Sequence, residues 1–309
     1  MKKFVSKKMV AAAVLGLTLF GGMSLQSAVY AEAQNTTVSV DVQVQQNVKS
    51  NVNWTKGADA DITATGVGLP REEGSRGAAL ARRAAIVDAY RYLAEAIQGV
   101  QVDADTLMQD LVVQSDTVKT QVSALVKGAR IVEEHVNADG SYSVTMSIPM
   151  FGSGSVAAIA IPEVQKNVVP EPLPTVDIKE TALPKQEVKE VKNSAFTGVI
   201  VDASGLGLQA TFSPVIFDEN GRGIYGMKNI NPDFAISKGM VEYAANHSQA
   251  MANSRAGASP LVVKAVAVKG GKNSANKVNV VVSVNDGDKI LLANEKSGML
   301  QNCAVVFVK

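Results

Sequence analysis

The stretch ITATGVGLPREEGSRGAALARRAAIVDAYRYLAEAIQG, residues 62–99, decides how the first half of this 309-residue chain folds. Ile62-Thr63-Ala64-Thr65-Gly66-Val67-Gly68 reads as a short strand that runs into a glycine turn. From about Ala78 to Gln98 the apolar residues recur at helical spacing, and Ala78, Ala85, Ile86, Ala89, Leu93, Ala96 and Ile97 fall on one face. Arg83, Asp88, Arg91 and Glu95 lie elsewhere, with Arg91 and Glu95 four apart as a weak ion pair. Most of the stripe is alanine. Small side chains let a helix lie close to its neighbour, so the expected partner is a sheet. Arg82 sits within the stripe and is expected to extend its guanidinium past the edge of the core. Gly99 stops the helix.

Working outward, Val100-Gln101-Val102 is a strand candidate. Asp116 is placed to cap a second helix, with Val118, Val122, Leu125 and Val126 facing inward and Gly128 just past its end. Arg130–Val136 and Ser141–Met150 then form a hairpin around Asn137-Ala138-Asp139-Gly140. On the N-terminal side, Thr37–Val44 alternates as a strand does. Residues 162–193 carry Pro162, Pro170, Pro172, Pro174 and Pro184 among Val, Lys and Glu, and read as an extended, semi-rigid spacer. Beyond it, strands are expected at 198–201, 212–217, 223–225, 260–269, 277–284 and 303–308. Helical segments are expected at 232–243 and 290–293. The expected fold is α+β in two small domains. The first, 32–161, has two helices packed on one face of an antiparallel sheet; the second, 194–309, is β-rich.

The first residues have the three parts of a secretory signal. Lys2, Lys3, Lys7 and Lys8 precede the apolar run Met9–Phe20, and Val29-Tyr30-Ala31 sets a cut after Ala31, which makes Glu32 the first mature residue. The run is about a dozen residues, whereas a spanning helix needs about 20. A lipid anchor at a signal cleavage site needs a cysteine directly after the cut, and the one cysteine is Cys303. The expected protein is therefore exported, periplasmic or outer-membrane associated, not lipid-anchored, and without a transmembrane segment once the signal is removed. A lone cysteine also gives no disulfide framework, and Cys303 reads as a buried small hydrophobe. Loss of the signal removes four lysines and no acids, leaving 26 basic against 29 acidic residues, a net −3. That balance lacks the concentrated basic surface of a nucleic-acid binder.

No motif assembles chemistry, so no catalytic residue, cofactor site or metal site is assigned. The histidines, His135 and His247, fall in different domains, which argues against a histidine zinc site. There is no Gly-x-Ser-x-Gly elbow. Gly66-Val67-Gly68 and Gly205-Leu206-Gly207 are fragments of a phosphate-loop pattern and read as turn glycines. Asp218-Glu219-Asn220-Gly221 resembles part of a calcium loop but lacks its alternating ligands and distal glutamate, and reads as a hairpin turn.

The stretch 62–150 resembles the LPP-twenty lipoprotein family. The resemblance rests on Ala64-Thr65-Gly66-Val67-Gly68, on Ala81-Arg82-Arg83-Ala84-Ala85-Ile86-Val87-Asp88-Ala89-Tyr90, on Leu93 with Ile97 and Gly99-Val100, on Gly128-Ala129, and on Asp139-Gly140-Ser141-Tyr142-Ser143-Val144. It covers about a third of the chain, and similar modules occur in FlgT-type flagellar H-ring assembly proteins. The resemblance implies an envelope module without enzymatic role, linked in some members to flagellar or surface-structure assembly. It supplies no catalytic residues. The family is lipid-anchored through an N-terminal cysteine, which this chain lacks.

Three functions are consistent with these features. The first is a non-enzymatic exported envelope protein that binds envelope proteins, or a second copy of itself, as an assembly factor for a surface structure such as the flagellum. The second is a secreted glycan hydrolase that uses carboxylates no motif reveals. The third is a small-ligand-binding module with a pocket between the helices and sheet of the first domain.

Overall fold

A computed structural model describes residues 49–309. The expected cleavage site at Ala31 and Glu32 and the expected strand Thr37–Val44 lie outside the described residues. Four strands, β1 (Ser50–Asn53), β2 (Asp61–Gly68), β3 (Arg130–Val136) and β4 (Tyr142–Pro149), form an antiparallel sheet in the order β1-β2-β4-β3. Helix α1 (Gly74–Gln98) lies on β2 and β4, burying Gly77, Ala81, Ala85, Ala89, Tyr92, Leu93 and Ile97. The alanine stripe thus meets a sheet. Its start differs from expectation, because Ala78 is exposed and Gly77 and Ala81 take the buried first turn.

Gly66 and Gly68 are not turn glycines; both lie inside β2. A Cβ on Gly66 would stand 2.1 Å from the Ala85 carbonyl oxygen, and one on Gly68 would stand 1.9 Å from that of Ala81. The helix backbone rests directly on the strand backbone. Only glycine against alanine permits that approach.

Helices α2 (Met108–Gln114) and α3 (Asp116–Lys127) complete this side. The α3 cap is Ser115, whose hydroxyl accepts the Val118 amide at 3.3 Å, with Asp116 as the first helical residue. Val100-Gln101-Val102 joins no sheet. Two of its carbonyls are taken instead by the far half of the chain: Phe212 N–H donates to Gln101 O at 3.3 Å and Ser213 N–H to Val102 O at 2.9 Å, while Val100 O accepts the Met108 amide at 3.0 Å.

The segment 162–193 is not an extended spacer. Helix α4 (Val156–Gln165) runs through Pro162, and α5 (Lys185–Asn193) starts directly after Pro184. Val188 and Val191 are buried, and α5 packs on α8 (Val284–Ser297). Lys289–Glu187 and Lys192–Glu295 ion pairs flank that contact at 2.8 and 3.0 Å.

The remaining strands are β5 (Gly198–Asp202), β6 (Ile216–Asp218), β7 (Gly223–Tyr225), β8 (Glu242–Ala244), β9 (Pro260–Lys269), β10 (Asn279–Val282) and β11 (Val305–Val308). They form one mixed sheet in the order β7-β6-β10-β9-β5-β11-β8, with β5, β9, β11 and β8 parallel. Short helices α6 (Pro232–Lys238) and α7 (His247–Met251) lie between its strands in sequence. The central strands are apolar on both faces because both are covered. Ile200, Val306 and Val308 cluster with Ala250 of α7, and Val199, Val201, Val305 and Phe307 join the main core.

One core runs through both sheets. The single tryptophan, Trp54, meets Phe212, Tyr243 and Phe151 edge-on at centroid distances of 5.0, 5.9 and 6.4 Å, and Tyr243 meets Phe307 at 6.0 Å. Residues 49–309 accordingly lie in one compact unit. Gly66→Ala tests the backbone contact. The methyl has no space, so unfolding free energy should fall by about 3 kcal/mol or more, the upper range of overpacking costs. Val67→Ala at the exposed neighbouring position should stay within about 0.5 kcal/mol. Both are measured by urea denaturation.

Candidate functional site

The titratable groups that sequence reading singled out do not converge. His135 is exposed on β3, 3.9 Å from Glu133, and His247 is exposed at the start of α7. Cys303 is buried, burial pushes its thiol up, and its φ of 53° is an unusual left-handed conformation for a side-chain-bearing residue. Gly205 and Gly207 both have positive φ, 77° and 75°, and serve as turn glycines. Among the described residues, no three His, Cys, Asp or Glu side chains group as a metal site.

Asp218-Glu219-Asn220-Gly221 forms the turn between β6 and β7, with Gly221 at φ 83°. The Asp218 carboxylate is fully engaged: Oδ1 accepts the Arg222 amide at 2.9 Å and Oδ2 accepts Arg222 Nε at 2.9 Å. Arg222 Nη2 also donates to Asp288 Oδ1 at 2.6 Å, and Thr181 donates its hydroxyl to Asp288 Oδ2 at 2.6 Å. Both carboxylates are almost wholly buried. Every oxygen has a protein donor, so the cluster is a structural tie between α8, β6 and the segment before α5.

A second partly buried arginine does similar work. Arg255 donates to Glu242 at 3.1 Å, to Gly239 O at 2.8 Å and to Cys303 O at 3.3 Å, and also reaches Lys238 O. It closes the end of α6 onto β8 and the chain entering β11. Gly57 (φ 58°) lies against Glu242, whose Oε1 would be 2.5 Å from a Cβ there.

Three surface features remain. A cleft of about 700 Å³ opens between the 103–106 loop, the 164–171 segment and the β6–β7 end of the second sheet. Asn229 on its wall donates to the carbonyls of Glu171 and Pro172, while its own Oδ1 is buried without a partner. A second groove, about 570 Å³ and mainly apolar, lies between α3 and α4 above Ile148 and Pro149, with Arg130 at its edge. The third is an apolar ridge beside α1. Leu80 and Val87, seven residues apart on the helix, are 42% and 68% exposed, and Val67 and Leu69, at and just past the end of β2, are 48% and 70% exposed. Val67, Ala84 and Val87 line one shallow concavity with Arg83 and Arg91 at its rim. Arg82, on the other side of the helix, pairs with Glu134 at 2.8 Å. Sequence reading did not single out the ridge. Its signal was present as Leu80 and Val87, apolar residues off the alanine stripe.

The profile of the LPP20 lipoprotein family matches residues 70–148, from the loop before α1 to the end of β4. A second profile, described as Treponema pallidum Tp0624, second domain, matches residues 198–309, the whole of the second sheet. No curated protein matches the chain. Over these two stretches the chain is similar to those families, and the first match supports the resemblance read from residues 62–150.

Two predictions follow from the charged groups. Arg222→Met strands two buried carboxylates and should lower stability by about 3–5 kcal/mol, measured by chemical denaturation. Asp61 is held below the usual carboxylate range: burial works against the charge, but hydrogen bonds from Lys56, Asn53 and Ser147 outweigh it. The Ser204 hydroxyl and amide hold Asp202 low in the same direction. A carboxylate depressed in the folded state contributes stability that is complete above its unfolded value of about 3.9 and is lost as pH falls through the folded value. The melting temperature should therefore drop below about pH 4, and Asp61→Asn should make that drop shallower.

Proposed function

We propose that this is an exported cell-envelope protein without enzymatic activity, which binds other envelope proteins and helps to assemble or position a surface structure such as the flagellum. The observation that carries the reading is the apolar ridge of Val67, Leu69, Leu80 and Val87, which sits on and beside the stretch that matches the LPP20 lipoprotein family. Contiguous exposed apolar side chains rimmed by charge mark interaction surfaces. The family match supports an envelope setting. No described helix is long and apolar enough to cross a membrane. The separation of the two histidines and the saturation of the buried carboxylates support a non-catalytic role.

Photo-crosslinking tests the proposal. A photoreactive residue at Val87 of the full chain, expressed in cells, should capture defined envelope proteins, and the same residue at exposed Lys119 should not. Leu80→Glu with Val87→Glu should cut that capture at least tenfold with little effect on folding, since both positions are exposed. Equal capture at positions 87 and 119 would sink the reading.

A further inference from the structure

The geometry points to the groove between α3 and α4 as a binding site for a single-chain aliphatic carboxylate of the fatty-acid type, independent of the ridge beside α1. Ala124 and Leu125 form one wall, Ala158 and Ile159 the other, and Ile148 and Pro149 the floor. Its volume, about 570 Å³, falls within the range of small-molecule sites, about 300–1,000 Å³. No acidic residue lines it, and its single charged group is Arg130. That arginine opens β3, is exposed, and has no carboxylate partner among the described residues.

The walls discriminate between possible occupants. The Ser155 hydroxyl caps α4, accepting the Ala158 amide at 3.2 Å. That bond uses an Oγ lone pair and leaves its O–H, with Gln121 and Arg130, as the side-chain donors open to a ligand, and of these only Arg130 carries charge. A peptide laid in the groove would bury amide groups against Ala124, Leu125, Ala158 and Ile159, whose side chains offer no partners, a penalty of about 1–3 kcal/mol for each unpaired group. An alkyl chain carries no such groups. A guanidinium at the mouth suits a carboxylate, which it can bind through two parallel hydrogen bonds.

Calorimetry on the full chain, with ligands kept below their micellar concentrations, tests the site. Dodecanoate should bind saturably with one site, at least tenfold tighter than octanoate, because each buried methylene adds about fourfold. It should also bind at least tenfold tighter than dodecan-1-ol or dodecyltrimethylammonium. Arg130→Gln should erase the preference for dodecanoate over dodecan-1-ol. Ala124→Trp, an insertion from an exposed helix position, should abolish binding of both while the far-UV spectrum stays unchanged. Three results would overturn the inference. One is an absence of saturable binding. Another is indifference to head-group charge or to Ala124→Trp. The third is a tighter competing occupant: a leucine-rich peptide with a free C-terminus that displaces dodecanoate, or anionic phospholipid vesicles that float the protein without competition from dodecanoate.

Discussion

The backbone-to-backbone contact of α1 with β2 is the constraint on which the first half of the molecule depends. Gly66 and Gly68 leave no side chain on the strand face beneath the helix, and Ala81, Ala85 and Ala89 leave only methyls above it. A helix held that close fixes the plane of the sheet. It brings the Asp88 carboxylate to the Val67 amide at 3.3 Å and Arg82 to Glu134 on the edge strand. It also determines what is left outside. With the narrow alanine face consumed by β2, Leu80 and Val87 cannot turn inward, and they become surface.

The second constraint is the way the two sheets share a core. Trp54, in a short 3₁₀ segment between β1 and β2, is surrounded by Phe151, Phe212 and Tyr243, residues from three separate parts of the chain. Backbone bonds from Gln101 and Val102 to the 212–213 segment run beside this cluster, and the Asp105 carboxylate accepts the Lys272 and Asn273 amides at 3.1 and 2.8 Å. Apolar burial here comes with hydrogen bonds that fix relative orientation. The combination makes a joint that is directional as well as adhesive.

The parts of the fold that were legible in the sequence are those encoded by local periodicity. The alanine helix, the Asn137–Gly140 hairpin, α3 and six strands of the second half follow from spacing and turn residues, whereas β8 falls where 232–243 reads as helix. What was not legible depends on partners distant in sequence. Gly66-Val67-Gly68 looks like a turn because nothing local says that a helix will lie on it. Proline content makes 162–193 look like spacer, although Val188 and Val191 carry a helical spacing that finds its partner only in α8. Helix α8 reads from the sequence as a single turn at 290–293, since Asn285-Asp286-Gly287-Asp288 resembles a loop until Asp288 meets Arg222 and Gly287 sits where a Cβ would stand 3.1 Å from Ile224. Of the surface features, the helix-groove pocket was anticipated in kind, but its chemistry was not, because Arg130, Ala124 and Ala158 belong to three different elements.

The order of strands in the second sheet has a consequence for how the chain acquires its shape. β11 lies between β5 and β8, and its Val305 pairs with Val199. Until residues 305–308 arrive, β5 and β8 each present a raw hydrogen-bonding edge, and the apolar strands that β11 later covers stay open to water. A sheet that must receive an internal strand so far in sequence from its neighbour β5 has a high contact order and forms slowly. For as long as that interval lasts, the second sheet is an open structure with sticky edges. That is a state in which a chain can be passed through a narrow pore, and in which it needs shielding from its own copies.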